Sequence, residues 1–164
     1  MGIWIDRGEE MTTAILALDL GTITGWALCE KDSSISSGSI NFRPKRFEST
    51  GMRFLRFNNW IYEFLSEKPK VEAVFFEEVR RHAGVDAAHV YGGFMAILTA
   101  CCEQKNIIYT SEPVGTIKKH ATGKGNADKM AMIQSARAKG FSPVDDNEAD
   151  AIALLHLAMS ICKQ

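Results

Sequence analysis

Long hydrophobic runs, cysteine pairs, net positive charge and internal repeats are all missing from this chain, and each absence narrows what it can be. No stretch reaches the about 18 uninterrupted apolar residues of a bilayer span, so no membrane partner is expected. Met1 to Glu10 lacks the apolar segment of a signal peptide and fits no core pattern; residues 1–12 are expected to be a disordered extension, with Met11 an alternative start. The four cysteines, Cys29, Cys101, Cys102 and Cys162, include no CxxC pair and no Cys/His pair at zinc spacing. Adjacent Cys101 and Cys102 in a helical segment make a poor disulfide, so reduced, structural thiols in a cytoplasmic protein are expected. The formal net charge of −1 excludes a global basic field, and any contact with nucleic acid must rest on local patches. No low-complexity tract or linker divides the chain.

What is present suits one compact domain, residues 13–164: the 164-residue chain is 46% hydrophobic and 24% charged. The central stretch runs from Ala14 to Cys29. It reads as a buried strand, a tight turn on Gly21 to Gly25, and a returning strand. Residues 35–42 read as a third, more exposed strand. Phe54, Leu55, Phe57, Ile61, Phe64 and Leu65 recur at helical spacing and predict a helix over 52–66. A strand over 71–79, an Ala-rich helix over 86–104, a short strand over 107–110 and helices over 113–121, 127–139 and 147–162 follow. Three antiparallel strands and then strand–helix alternation give an α/β fold, a mixed sheet with helices on both faces.

Acids interrupt this apolar pattern in three places. Asp19 ends the first strand, Glu77 ends Val74-Phe-Phe-Glu77, and Asp146 and Asp150 share a helix face just before Ala-Ile-Ala-Leu. Converging carboxylates repel and raise one another's pKa, which divalent cations between them relieve. Each acid taken singly has a plainer use. Asp19 before Gly21 serves a turn, Glu77 and Glu78 serve a solvated strand end, and Asp145 to Glu148 serve a helix cap.

These stretches match a known family. The chain resembles the RuvC-type Holliday junction resolvases, particularly their phage-like branch, within the ribonuclease H-like superfamily. The resemblance runs from Ile15 to Leu157 and rests on Leu16-Ala-Leu-Asp19-Leu-Gly-Thr-Ile-Thr-Gly25, Val74-Phe-Phe-Glu77-Glu-Val, Gly115-Thr-Ile-Lys118 with Gly123-Lys-Gly-Asn-Ala-Asp-Lys129, and Asp146-Asn-Glu-Ala-Asp150-Ala-Ile-Ala. The first motif alone is shared with sugar kinases and actin-like ATPases; the ordered set is specific. The resemblance implies a five-stranded mixed sheet whose first three strands are antiparallel. It implies a homodimer in a bacterial or phage-infected cell that cuts both strands of a four-way DNA junction by two-metal phosphodiester hydrolysis, leaving 5′-phosphate and 3′-hydroxyl ends. Two Mg²⁺ ions, for which Mn²⁺ would substitute, would be held by Asp19 as the bridging ligand with Glu77, Asp146 and Asp150. The family's remaining ligand stands three residues before its last Asp, where this chain has Asn147; Asp146 reaches the same helix face and is taken in its place. Glu78 would point to the opposite face of the sheet.

By the same resemblance Lys118 is catalytic, and it and Lys129 lie near the scissile phosphate. Lys124 in its Gly-Lys-Gly loop, with Arg80 and Arg81 after the Glu77 strand, would contact DNA. The loop from Arg80 to Asp86 differs from the aromatic wedge of bacterial relatives. Competing readings are a nuclease for other branched DNA or for RNA–DNA hybrids, and a non-catalytic junction-binding protein, which Asn147 favours. An ATP-binding protein ranks last, because one domain of this length has no second lobe to close over nucleotide.

Overall fold

Alternation in the second strand sets the architecture. The computed structural model describes residues 4–5, 11–67 and 71–163. Within them lie strands β1 (Trp4–Ile5), β2 (Ile15–Asp19), β3 (Ile23–Cys29), β4 (Ser34–Asn41), β5 (Ala73–Glu78) and β6 (Ile108–Pro113), with helices α1 (Met52–Ser66), α2 (Val85–Lys105), α3 (Val114–Thr122), α4 (Lys129–Ala138) and α5 (Asp146–Cys162). Side chains of β2 point to opposite faces in turn. Ile15 and Ala17 enter one core with Ala73, Phe75 and the helices α3, α4 and α5. Leu16, Leu18 and Leu20 enter a second core with Val74, Phe76 and the helices α1 and α2. A strand buried on both faces reads as a continuous apolar run, as this one does.

The sheet order is β1-β4-β3-β2-β5-β6. β2, β3 and β4 form an antiparallel meander, while β5 and β6 join it in parallel. The expected mixed sheet with helices on both faces is therefore present, with a two-residue sixth strand, β1, added at the edge. Part of the segment 1–12 expected to be disordered is thus placed: Trp4 and Ile5 pair with Ile35 and Ser34. Met11 is buried and donates its N–H to Ser33 Oγ. Residues 1–3 and 6–10 lie outside the described residues.

Two glycines let the layers close. A Cβ on Gly93 of α2 would stand 2.3 Å from Phe54 Cε1 of α1. One on Gly25 would meet the first turn of α5. By length and composition α2 could cross a membrane. Here its Tyr91, Phe94, Leu98, Cys101 and Cys102 are buried in the second core, the use a core helix makes of such a sequence.

Candidate active site

Asp19 and Glu77 leave the sheet side by side. The β2–β5 register ends at Leu18 opposite Phe76, so the next residues on each strand are Asp19 and Glu77. By alternation Asp19 follows Ile15 and Ala17, and Glu77 follows Ala73 and Phe75, onto the face covered by α5. Glu78 turns to the other face and pairs with Arg80 at 3.1 Å.

The third contributor arrives because Gly25 has no side chain. Gly25 is the β3 partner of Asp19. A Cβ there would lie 1.9 Å from the carbonyl oxygen of Asn147, so the start of α5 rests directly on the strand pair that carries Asp19. The β2–β3 turn is fixed by buried Thr24, whose hydroxyl donates to Gly21 O at 2.7 Å.

Four acids open α5, and the structure divides their work. Asp145 caps the helix by accepting from Glu148 N–H (2.8 Å), and its other oxygen accepts from Ser39 Oγ (2.7 Å). Buried Glu148 accepts from Ser37 Oγ and from Val144 N–H, each at 2.7 Å. The cap orders the start of α5, and the two serine bonds anchor it to β4. Asp146 and Asp150 remain for the site face. Asp146 forms an ion pair with Lys129 at the start of α4.

The charges act on one another across these elements. Burial raises Asp19 well above the usual carboxylate range, and the charges of Glu77, Asp150, Asp146 and Asp145 push it further. Glu77 is raised to about 7 by burial and by Asp150, against the lowering effect of Lys118. Asp150 is raised to about 6, mainly by burial, with Lys118 opposing and Asp146 adding. Asp146 is held low by its hydrogen bond from Lys129. Lys118 on α3 therefore serves two of the acids, and Lys129 reaches Asp146 directly while its charge interacts with Asp150 and Asp19. The other basic candidates stand apart. Lys124 is exposed in the loop after α3, Arg81 is exposed beyond β5, and Arg80 is turned to Glu78.

Two residues beyond the expected set belong to this region. Tyr91 of α2 donates its hydroxyl to Glu77 O (2.7 Å) and accepts from Val79 N–H (3.4 Å), holding the end of β5. Glu112 of β6 pairs in register with Glu77. No local pattern signals either one; a tyrosine on an apolar helix and an acid before proline are ordinary in sequence.

A donor set of carboxylate oxygens suits a hard divalent cation rather than zinc or copper. As the side chains stand, no three His, Cys, Asp or Glu groups among the described residues are gathered closely enough to hold a metal ion.

No family model and no curated protein matches the chain. Solved structures do. Thermus thermophilus RuvC superposes with a TM-score of 0.70 over 90% of this chain and 95% of that one, at 20% identity. In complex with Holliday junction substrate it reaches 0.74 over 92% and 96%, at 19% identity. This chain has the RuvC fold. The yeast mitochondrial Holliday junction resolvase Ydc2 matches with a TM-score of 0.61 over 98% of this chain and 87% of that one, at 15% identity. At these identities the RuvC fold is what is shared, and the chemistry must be argued from this chain's own residues.

Proposed function

We propose that the chain is a metal-dependent, structure-selective endonuclease that cuts four-way DNA junctions. The observation that carries this reading is that two strands and the start of a helix bring Asp19, Glu77 and Asp150 to one sheet end, where burial and mutual repulsion burden their negative charge. Three such carboxylates at one sheet end are costly unless cations join them. Asp19, Glu77, Asp146 and Asp150 would hold two Mg²⁺ or Mn²⁺ ions. When bound, such ions neutralise charge on a scissile phosphate and activate the attacking water.

The chain's own cations do the rest. Lys118 stabilises negative charge developing on a non-bridging phosphate oxygen. Asp146 would be one of the residues holding metal, and Lys129, now its ion-pair partner, would then be available to phosphate. Lys124, Arg80 and Arg81 hold the DNA backbone through sequence-independent, salt-sensitive contacts. Cleavage leaves 5′-phosphate and 3′-hydroxyl ends, and a homodimer supplies the two cuts. The ordered motifs favour the phage-like branch as part of this reading. The reading draws support from two resolvase neighbours of the same fold, one of them solved with Holliday junction substrate.

A second reading, a junction-binding protein without activity, is favoured by Asn147 at the position of a family ligand and by the open spacing of the acids. The two part on one experiment. A labelled four-way junction, a flap, an RNA–DNA hybrid and a linear duplex are incubated with Mg²⁺, Mn²⁺ or EDTA. Paired nicks in the junction, lost with EDTA, are expected. Asp19→Asn and Asp150→Asn should each lower cleavage at least about 100-fold, since even groups that merely support metal ligands are worth about 10–100-fold. Both variants should still bind the junction. Binding without cutting in either metal would establish the second reading.

A further inference from the structure

Between β4 and α1 the chain passes the sheet end at which Asp19 lies: Phe42 N–H donates to Thr22 O of the β2–β3 turn at 2.7 Å. The loop that follows is tied in place. Glu48 accepts from Lys45 N–H (2.7 Å) and from Arg56 Nη2 (2.6 Å), and Arg56 Nη1 donates to Arg43 O (3.4 Å). Glu48 N–H donates in turn to Lys45 O (3.0 Å).

From this tied loop Phe47 projects with 92% of its surface exposed. Single apolar residues on a surface are ordinary. Phe47 differs in its surroundings. The Arg46 guanidinium lies over its ring, 5.3 Å from the centroid, and the opposite ring face is open to solvent. Arg43, Lys45 and Arg46 are all exposed, and none is in an ion pair among the described residues. The loop's one acid, Glu48, is engaged by Arg56.

An exposed aromatic ring on a tied loop that also carries three exposed cations is complementary to a nucleotide, the ring to its base and the cations to its phosphates. We propose that Phe47 is a stacking platform for an unpaired base of the branched DNA, with Arg43, Lys45 and Arg46 on the adjoining phosphates. The inference rests on the nuclease reading and names a contact for its substrate. A continuous duplex offers no free base face, whereas strands that part at a branch do. Phe47 therefore contributes to the preference for branched over linear DNA.

The test compares wild type, Phe47→Ala and Phe47→Trp for binding to a four-way junction and to a linear duplex of the same sequence. The junction carries 2-aminopurine beside the branch. Because Phe47 is exposed, all three proteins should melt alike. Phe47→Ala should weaken junction binding about 5-fold or more, the lower bound for one base–aromatic stack, with duplex affinity unchanged. The 2-aminopurine quench seen with wild type should be lost in Phe47→Ala and restored in Phe47→Trp. Equal junction affinity and quench in wild type and Phe47→Ala, or equal weakening on junction and duplex, overturns the inference and leaves the nuclease reading standing. Wild type that binds junction no better than duplex overturns both.

Discussion

At the scale of single residues the site is a set of carboxylates held where charge is unwelcome. A carboxyl whose folded pKa exceeds its unfolded value binds more protons folded than unfolded, so its contribution to stability is full at low pH and is lost as pH rises through the folded value. Glu77 has an ordinary value of 4.5 and a folded value of about 7, and Asp150 rises from 3.8 to about 6. The metal-free protein should therefore melt lower at about pH 8 than at about pH 5, by thermal unfolding in EDTA. Mg²⁺ should recover part of the loss at the higher pH, and Asp19→Asn should flatten the dependence. A midpoint that holds steady or climbs over that range would count against the repulsion described. Asp146 runs the other way, being lowered by Lys129, so its contribution disappears only in acid. Sequence singled out Asp19, Glu77 and Asp150 by their apolar neighbours. Helical spacing set Asp146 and Asp150 on one face, but what Asp145 and Glu148 do was not legible, because their partners, Ser39 and Ser37, lie 106 and 111 residues earlier.

At the scale of elements, α5 brings the last two acids to the sheet, and Gly25 sets its distance. Gly25→Ala forces the Asn147 carbonyl and the first turn of α5 away from β3. We expect a loss of about 1–3 kcal/mol in denaturant unfolding, the range for overpacking a closed interior. Cleavage should fall further than the stability loss explains, because Asp146 and Asp150 move with the turn. A variant that folds less stably yet cuts at the wild-type rate would separate α5 placement from activity. Most elements could be read from periodicity. The apolar spacing from Phe54 to Leu65 marks α1, and the uninterrupted run of β2 follows from burial on both faces. β1 could not be read, since two residues have no period and Trp4–Ile5 is a strand only through its pairing with Ser34–Ile35. Tyr91 escaped for a similar reason: its hydroxyl matters through the backbone of Glu77, 14 residues away on another layer.

At the scale of the whole molecule, the proposed nuclease has one set of acids per 18.2 kDa chain and would make one cut, while resolving a junction takes two. Light scattering of the free protein should give a mass near twice 18.2 kDa. Dimers mixed from wild type and Asp19→Asn should nick one strand and leave the opposing strand whole. A monomer that makes both cuts within one binding event would overturn the two-copy arrangement. The two hydroxyl–carboxylate bonds that fasten α5 to β4 also bear on how such chains diverge. Loss of Ser37 or Ser39 takes one hydrogen bond from Glu148 or Asp145 and leaves each acid the backbone N–H it also accepts. A lineage that replaces either serine with a side chain lacking a donor keeps the matching acid for its backbone bond alone, a weaker demand, whereas Asp19 and Asp150 are under no such joint constraint with β4. The acid-rich start of α5 should therefore drift in two independent ways, half of it in step with a strand more than 100 residues upstream.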